Sequence, residues 1–238
     1  MTTSGEPASR AFAQIHSGQP LVRPTAVAGR PDWVLHGNPP HREPPVPAAD
    51  VLAAALRAAQ AGDPKGFATL WRGLHPAVLR YLYVLAGDHA EDAASETWLH
   101  VIRDLHHFDG DHDGFRGWLF RIARHRGIDE RRRAGRRRED PAETVDAGPP
   151  ARDAAAEVIE GTGTAWALRL IATLPADQAE AVMLRVVAGL DVAATARVLG
   201  KRPGAVRIAT MRGLRRLAAD PTVRARGDAA ALIRTRQV

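Results

Sequence analysis

Two stretches of the chain combine arginine with residues able to touch a nucleic acid. In 114–138, Phe115, Trp118 and Phe120 are interleaved with Arg116, Arg121, Arg124 and Arg126. Aromatic faces stack on unpaired bases while guanidinium groups hold the backbone, a pairing suited to single strands. Phe115 fits a core better, and Trp118 and Phe120 fit either role. In 191–217 the pattern is a short helix, a tight Gly-containing turn and a longer helix with Arg207, Ile208, Met211, Arg212 and Arg215 on one face. That is the helix-turn-helix pattern, whose second helix is narrow enough for the major groove. An ordinary helical hairpin with a charged outer face has the same outline.

Other clusters do not complete a chemistry. Asp109, Asp111 and Asp113 with Gly114 imitate the start of a calcium loop, but the twelfth position, which needs a bidentate Glu, is Phe120. His106, His107 and His112 lie in a polar loop without ligand spacing and read as solvated. No phosphate-binding loop, dinucleotide fingerprint, Gly-x-Ser-x-Gly or His-Glu-x-x-His occurs. Nothing argues for catalysis, a metal or a cofactor.

The elements that must position these side chains read as helices. Val51, Leu52, Ala55, Leu56 and Ala59 recur at helical spacing and end at Gly62-Asp63-Pro64. A second helix takes Phe67, Leu70, Trp71 and Leu74 and, past Pro76, Val78, Leu82 and Leu85. Asp88 with Glu91 has capping-box spacing for a helix running to about His107. Its stripe of Ala94, Trp98, Val101, Ile102 and Leu105 leaves Glu91, Asp92, Ser95 and Glu96 outside. A helix from Phe115 to about Arg133 buries Phe115, Leu119 and Ile122. Trp166 to Ile171 open the next helix. Asp177 and Asp191 are expected caps, Gly200 a C-terminal stop and Pro203 a helix start. The helix after Pro203 is expected to bury Val206, Thr210, Leu214 and Leu217.

Composition agrees with an all-α protein of two small helical domains. The 238 residues hold 45 alanines and 12 aromatics, too few large residues for a sizeable sheet core. Zero cysteines exclude disulfides, Cys nucleophiles and thiolate metal sites. No apolar run approaches the roughly 18 residues of a membrane span, and the first residues lack a secretory leader. The expectation is a soluble cytoplasmic protein with no membrane partner and no small-molecule substrate. The formal charge of +6 is unevenly spread: 116–138 carries +8, 199–238 carries +8, and the remainder −10. Positive blocks of this kind suit a polyanion, although a solvated surface has the same composition. Residues 1–49 hold nine of the 17 prolines and read as a disordered arm, with Trp33-Val34-Leu35 its apolar cluster. Residues 139–163, with seven acids against one Arg, read as a flexible linker.

At this point the residues carry a resemblance. Ala90-Glu-Asp-Ala-Ala-Ser-Glu-Thr-Trp-Leu99 followed by Phe115-Arg-Gly-Trp-Leu-Phe-Arg-Ile-Ala-Arg-His-Arg-Gly-Ile-Asp129 resembles region 2 of the sigma-70 family. Leu174-Pro through Leu217 is similar to region 4 of its small extracytoplasmic-function (ECF) group, including the Gly-Ala-Val-Arg start of the recognition helix. The resemblance implies a region 2 domain over 50–138 and a region 4 helix-turn-helix domain over 164–219. The arm, the linker and a basic tail over 220–238 fall outside it.

The function implied is that of a factor that binds RNA polymerase core and directs it to promoters. Asp92, Ser95 and Glu96 would dock on the clamp coiled coil of the large subunit, with the flap as a second contact. Trp118, Arg121, Arg124, His125 and Arg131 would face the melted −10 strand. Arg202, Arg207, Met211, Arg212 and Arg215 would approach the −35 duplex. An anti-sigma protein is a candidate regulator. Ser95 stands where members usually carry Gln, His125 where Asn is common, Ile208 where a small polar residue is common and Ala209 where a basic one is common. The alternative is a conventional helix-turn-helix regulator that does not use polymerase core, which leaves 88–133 without a role. A helical adaptor with merely solvated basic faces is the third class.

Overall fold

Alanine loses little side-chain entropy in a helix, and the described residues are helical with no strand among them. The computed structural model describes residues 49–139 and 162–226. The Pro-rich arm with its Trp33 cluster, nearly all of the acidic linker and the end of the basic tail lie outside the described residues. The helices are α1 (Ala49–Gln60), α2 (Pro64–Ala86), α3 (Ala90–Asp104), α4 (His112–Glu139), α5 (Thr162–Ala172), α6 (Ala176–Val182), α7 (Val192–Leu199) and α8 (Pro203–Ala219). Short 3-10 turns, Gly87–His89 and Leu105–His107, flank α3. A π-helical segment, Met183–Val187, extends α6, and 221–226 is again helical.

The described residues form two compact units. The first takes the chain to Leu74 together with Ile102–His107. Its core is Leu52, Ala55 and Leu56 of α1, Phe67, Leu70 and Leu74 of α2, and Leu105. Helix α1 and the start of α2 cross at Gly66, where a Cβ would fall 2.7 Å from the Ala58 methyl. Val51, expected in the buried stripe, is 49% exposed at the stripe's edge.

The second unit takes His75–Val101 and the described residues from Phe108 onward. Val78, Leu79, Leu82 and Leu85, Trp98 and Val101, and Phe115, Leu119, Phe120 and Ile122 are all at most 6% exposed. Helices α2 and α4 approach at Gly127, whose Cβ would lie 2.8 Å from Leu82 and Leu85. The buried Thr97 hydroxyl donates to the Ala93 carbonyl at 2.6 Å, so no polar group is stranded on the inner face of α3. Asp88 sits within the 3-10 turn before α3 and does not cap that helix. The turn leads directly into Ala90, whose N–H donates to the Gly87 carbonyl.

The last four helices of the same unit surround Leu168, Ala181, Val182, Met183, Leu184, Leu199 and Val206. Pro175 is the N-cap of α6, which puts Asp177 in the first turn, where a carboxylate still favours the positive end of the helix. The cap at Asp191 is as its type and position imply: its Oδ1 accepts the Ala194 N–H at 2.6 Å. Gly200 turns the chain with φ +64°, a conformation that strains any Cβ. Pro203 then occupies the first turn of α8 after Arg202. Helix α8 buries Val206, Ala209 and Gly213, whereas Leu214 is 43% exposed and Thr210 and Leu217 are half-buried. The expected stripe is rotated because Gly213 lets α8 settle onto α6: a Cβ there would meet Val182 at 2.8 Å.

The Asp191 cap sets where α7 begins. Asp191→Ala removes one acceptor from an otherwise unpaired N–H and is expected to cost about 0.5–2 kcal/mol. A lowered urea midpoint with an unchanged slope is the expected result, with Asp191→Asn near wild type. Equal losses in both variants would contradict a capping role.

Candidate nucleic-acid interface

Helix α3 divides by phase. Ala90, Ala93, Ala94, Thr97, Trp98 and Val101 face inward, and Asp92, Ser95 and Glu96 are exposed. Leu99 continues the outer stripe at 48% exposure, an apolar member that the sequence pattern did not single out. Its signal was present: Asp92, Ser95, Glu96 and Leu99 follow i, i+3, i+4, i+7 spacing. The Trp98 indole N–H donates to His75 Nδ1 at 3.1 Å, which pins the inner face and so the direction of the outer one.

Helix α4 carries the aromatic and arginine side chains. Phe120 is 1% exposed and packs edge-to-face on Tyr81 at 5.6 Å, so it belongs to the core and cannot stack on a base. Trp118 is half-buried, with Phe108 at 5.3 Å and Phe115 at 5.8 Å. This ring cluster fixes the indole and leaves part of it open. Arg121, His125 and Arg131 are exposed and Arg124 is half-buried. At about 100° per residue, Trp118, Arg121 and His125 share an arc of roughly 60°, with Arg124 and Arg131 together beside it.

Arg124 has a partner that sequence spacing did not suggest. Its Nε donates to Glu180 at 2.6 Å, and a second nitrogen reaches the other carboxylate oxygen at 3.5 Å. The Tyr81 hydroxyl donates to the same carboxylate at 3.3 Å. Burial, followed by the nearby Glu180 charge, holds the Tyr81 phenol well above its ordinary range, so it stays a donor. Burial pulls the Arg124 guanidinium down, but the hydrogen bond and charge of Glu180 outweigh this and raise it. Close by, Arg116 donates to the Ala188 carbonyl. No pattern in the sequence marks Glu180, a single carboxylate between Ala179 and Ala181 in a short helix.

Helix α8 presents Arg207, Ile208, Met211, Arg212, Leu214 and Arg215 on its exposed arc, with Arg202 exposed at its N-cap. A groove of about 490 Å³ runs along this arc, bordered by Arg185, Val192, Arg207, Met211, Leu214 and Arg215. Such a face offers guanidinium donors to guanine edges and phosphates and apolar groups to thymine methyls. Ala209, by contrast, is 6% exposed and belongs to the packed side.

The aspartate and histidine clusters lie at and before the start of α4. Among the described residues no group of three His, Asp or Glu gathers around a metal-sized site. Asp111 caps α4, accepting the Gly114 N–H at 2.8 Å. His112, expected to be solvated, has a side chain only 10% exposed, and burial pulls its pKa below the usual imidazole value. Among the described residues no helix is long and apolar enough to cross a membrane.

Residues 70–137 match the family model Sigma-70 region 2, and residues 164–217 match Sigma-70, region 4. The ECF RNA polymerase sigma factor BldN of Streptomyces coelicolor is 36% identical over 208 residues, spanning 83% of this chain and 78% of BldN. The ECF RNA polymerase sigma factor SigD of Mycobacterium tuberculosis is 35% identical over 178 residues, 70% of this chain and 82% of SigD. Among solved structures, the sigma factor RpoE from Bartonella quintana, crystallised with the anti-sigma factor NepR, aligns with a TM-score of 0.48 and 23% identity. That alignment covers 64% of this chain and 94% of RpoE. With both sigma regions matched in order and curated relatives matched over most of their length, the chain belongs to the ECF group of the sigma-70 family of RNA polymerase sigma factors.

Proposed function

We propose that the chain works as a sigma factor with its tasks divided by helix. The exposed stripe of Asp92, Ser95 and Glu96 on α3 docks on the clamp coiled coil of the core polymerase large subunit, and Leu99 adds apolar area to that contact. Trp118, Arg121, Arg124, His125 and Arg131 on α4 hold the melted −10 strand. Arg202, Arg207, Met211, Arg212 and Arg215 read the −35 duplex, with the flap as the second core contact. Residues 50–138 and 164–219 serve as the two functional domains, joined by 139–163. The chain has no catalytic step of its own, since polymerase supplies the chemistry, and it acts in the cytoplasm. An anti-sigma protein is its regulatory partner.

The observation that carries this reading is the exposed α8 arc, where Arg207, Met211 and Arg215 stand on a helix braced by the capped α7. A merely solvated hairpin has no need of Met211 and Ile208 at 43% and 48% exposure. The same apolar groups beside arginines suit contact with both base methyls and phosphates.

The decisive measurement mixes this protein with core polymerase on a promoter library and maps the transcripts. Promoter-specific transcripts and co-purification with core are expected. A conventional helix-turn-helix regulator would bind duplex yet yield neither. Asp92→Arg should abolish co-purification with core while the full chain keeps its duplex affinity; equal loss of both would count against the α3 assignment. Arg212→Ala should relax selection at one −35 position by about 1–3 kcal/mol if the contact is bidentate to guanine. Unchanged preference in a duplex selection would remove Arg212 from the reading face.

A further inference from the structure

Helix α8 is held on its inner side by Val206, Ala209 and Gly213. At about 100° per residue, Gly204, Met211, Arg215 and Ile208 lie within roughly 40° of the line opposite Gly213. Arg207 and Arg212 stand about 60° and 80° to either side of that line. All six are exposed. The outermost ridge is therefore bare or apolar from Gly204 to Met211, and guanidinium groups flank it. A Cβ at Gly204 would meet nothing within 4 Å beyond its own helix backbone and chain neighbours, so the ridge starts on open backbone.

Ile208 is the residue of this ridge that nothing else in the fold employs. It is 48% exposed. Met211 and Leu214, the other large apolar residues exposed on α8, border the groove of about 490 Å³, and Ile208 does not. Its neighbours one turn before and after are Gly204, Ala205, Met211 and Arg212, all exposed. Its side chain brings no charge, donor or acceptor. Branching at Cβ leaves it one strongly preferred χ1 in a helix, so its methyl groups hold a fixed place. In the major groove, the apolar group that marks a base is the thymine 5-methyl. The same side chain pressed on a guanine or adenine N7 strips water from an acceptor and replaces it with nothing, which disfavours those bases.

We propose that Ile208 is a specificity-determining residue of the −35 contact. It packs on the 5-methyl of one thymine, so that this base pair is selected by apolar contact and not by hydrogen bonding. The proposal rests on the reading of α8 as the −35 helix and adds the chemistry by which one step of the element is read. A small polar residue at this place would select a base by a hydrogen bond, and isoleucine has none to give. The flanking arginines supply attraction to the duplex on both sides, and the choice at this step falls to shape and desolvation.

The test uses the full chain bound to core polymerase. Selection from promoters randomised in the −35 block gives the preferred element. Each thymine of either strand is then replaced singly by deoxyuridine, which removes only the 5-methyl. The wild type is expected to lose about fourfold in affinity at one thymine or more, the size of one buried methyl group. Ile208→Ala and Ile208→Ser should each remove the preference for thymine over deoxyuridine at one such step and leave the other steps as they are. Ile208 is exposed, so neither change takes away a packed side chain, and circular dichroism checks that each variant is folded. Three results overturn the proposal while the −35 reading stands: a selected element without thymine on either strand, no deoxyuridine effect at any step, or an effect that survives Ile208→Ala at every step. A loss shared equally by all steps overturns it as well, since it assigns Ile208 to no single base. Failure to select any −35 element removes the reading of α8, and the proposal with it.

Discussion

A helix rich in arginine can hold a fixed position only if the rest of its surface is anchored, and in this protein the anchor is the apolar side of α4. Phe115, Leu119, Phe120, Ile122 and Ala123 are between 0% and 6% exposed. Burying a Phe, Leu or Ile side chain contributes about 1.5–3 kcal/mol each, far more than any exposed arginine loses by mutual repulsion across water. Gly127 then lets α2 lie against the middle of the helix, since a larger residue would collide with Leu82 and Leu85. The direction of Trp118, Arg121 and His125 follows from this packing. Further along, Arg132, Arg133 and Arg136 are exposed, and Glu130 pairs with Arg133 to offset part of the charge.

The helix-turn-helix half solves the same problem with different residues. Its helices are short, so local signals decide where they begin and end. Asp191 accepts an N–H, Thr195 returns its hydroxyl to the Asp191 carbonyl at 2.7 Å, Gly200 takes a positive φ and Pro203 starts the next helix. Each signal acts within four residues, so the turn keeps its shape independently of distant contacts. Packing then needs only small groups. Gly213 sits over Val182, and Ala209 lies between α8 and its neighbours.

This difference explains what could be read from the residues alone. Helix existence, the Asp191 cap, the Gly200 stop and the outward stripe of α3 follow from rules that act over one or two turns. The two sigma regions were visible because their motifs are contiguous. Phe120 was ambiguous because helical phase places it beside Phe115 and Arg121 alike, and only Tyr81, far along the chain, decides for the core. Leu214 and Thr210 were misjudged because apolar character at helical spacing assumes that the larger residue turns inward. In α8 the smaller one does, since closeness to α6 and not side-chain volume sets the packed face. Glu180 could not be found at all, because nothing near it in sequence marks a carboxylate that pairs 56 residues away.

Ala209 is the clearest case of that reversal. Among relatives of this kind the position resembles one where a basic residue is common, and its loss first reads as a missing DNA contact. Its side chain is 6% exposed, between the buried Val206 and Gly213. A lysine or arginine there would have to carry its charge out past the packed face or push α8 away from α6, and Gly213 with Val182 at 2.8 Å from its Cβ position leaves no slack for the second. The alanine is therefore tied to the depth at which α8 sits. On the other side of the same helix Leu214 and Met211 are each 43% exposed. With Ala209 turned into the packing, the apolar surface that α8 leaves exposed is supplied by Ile208, Met211 and Leu214.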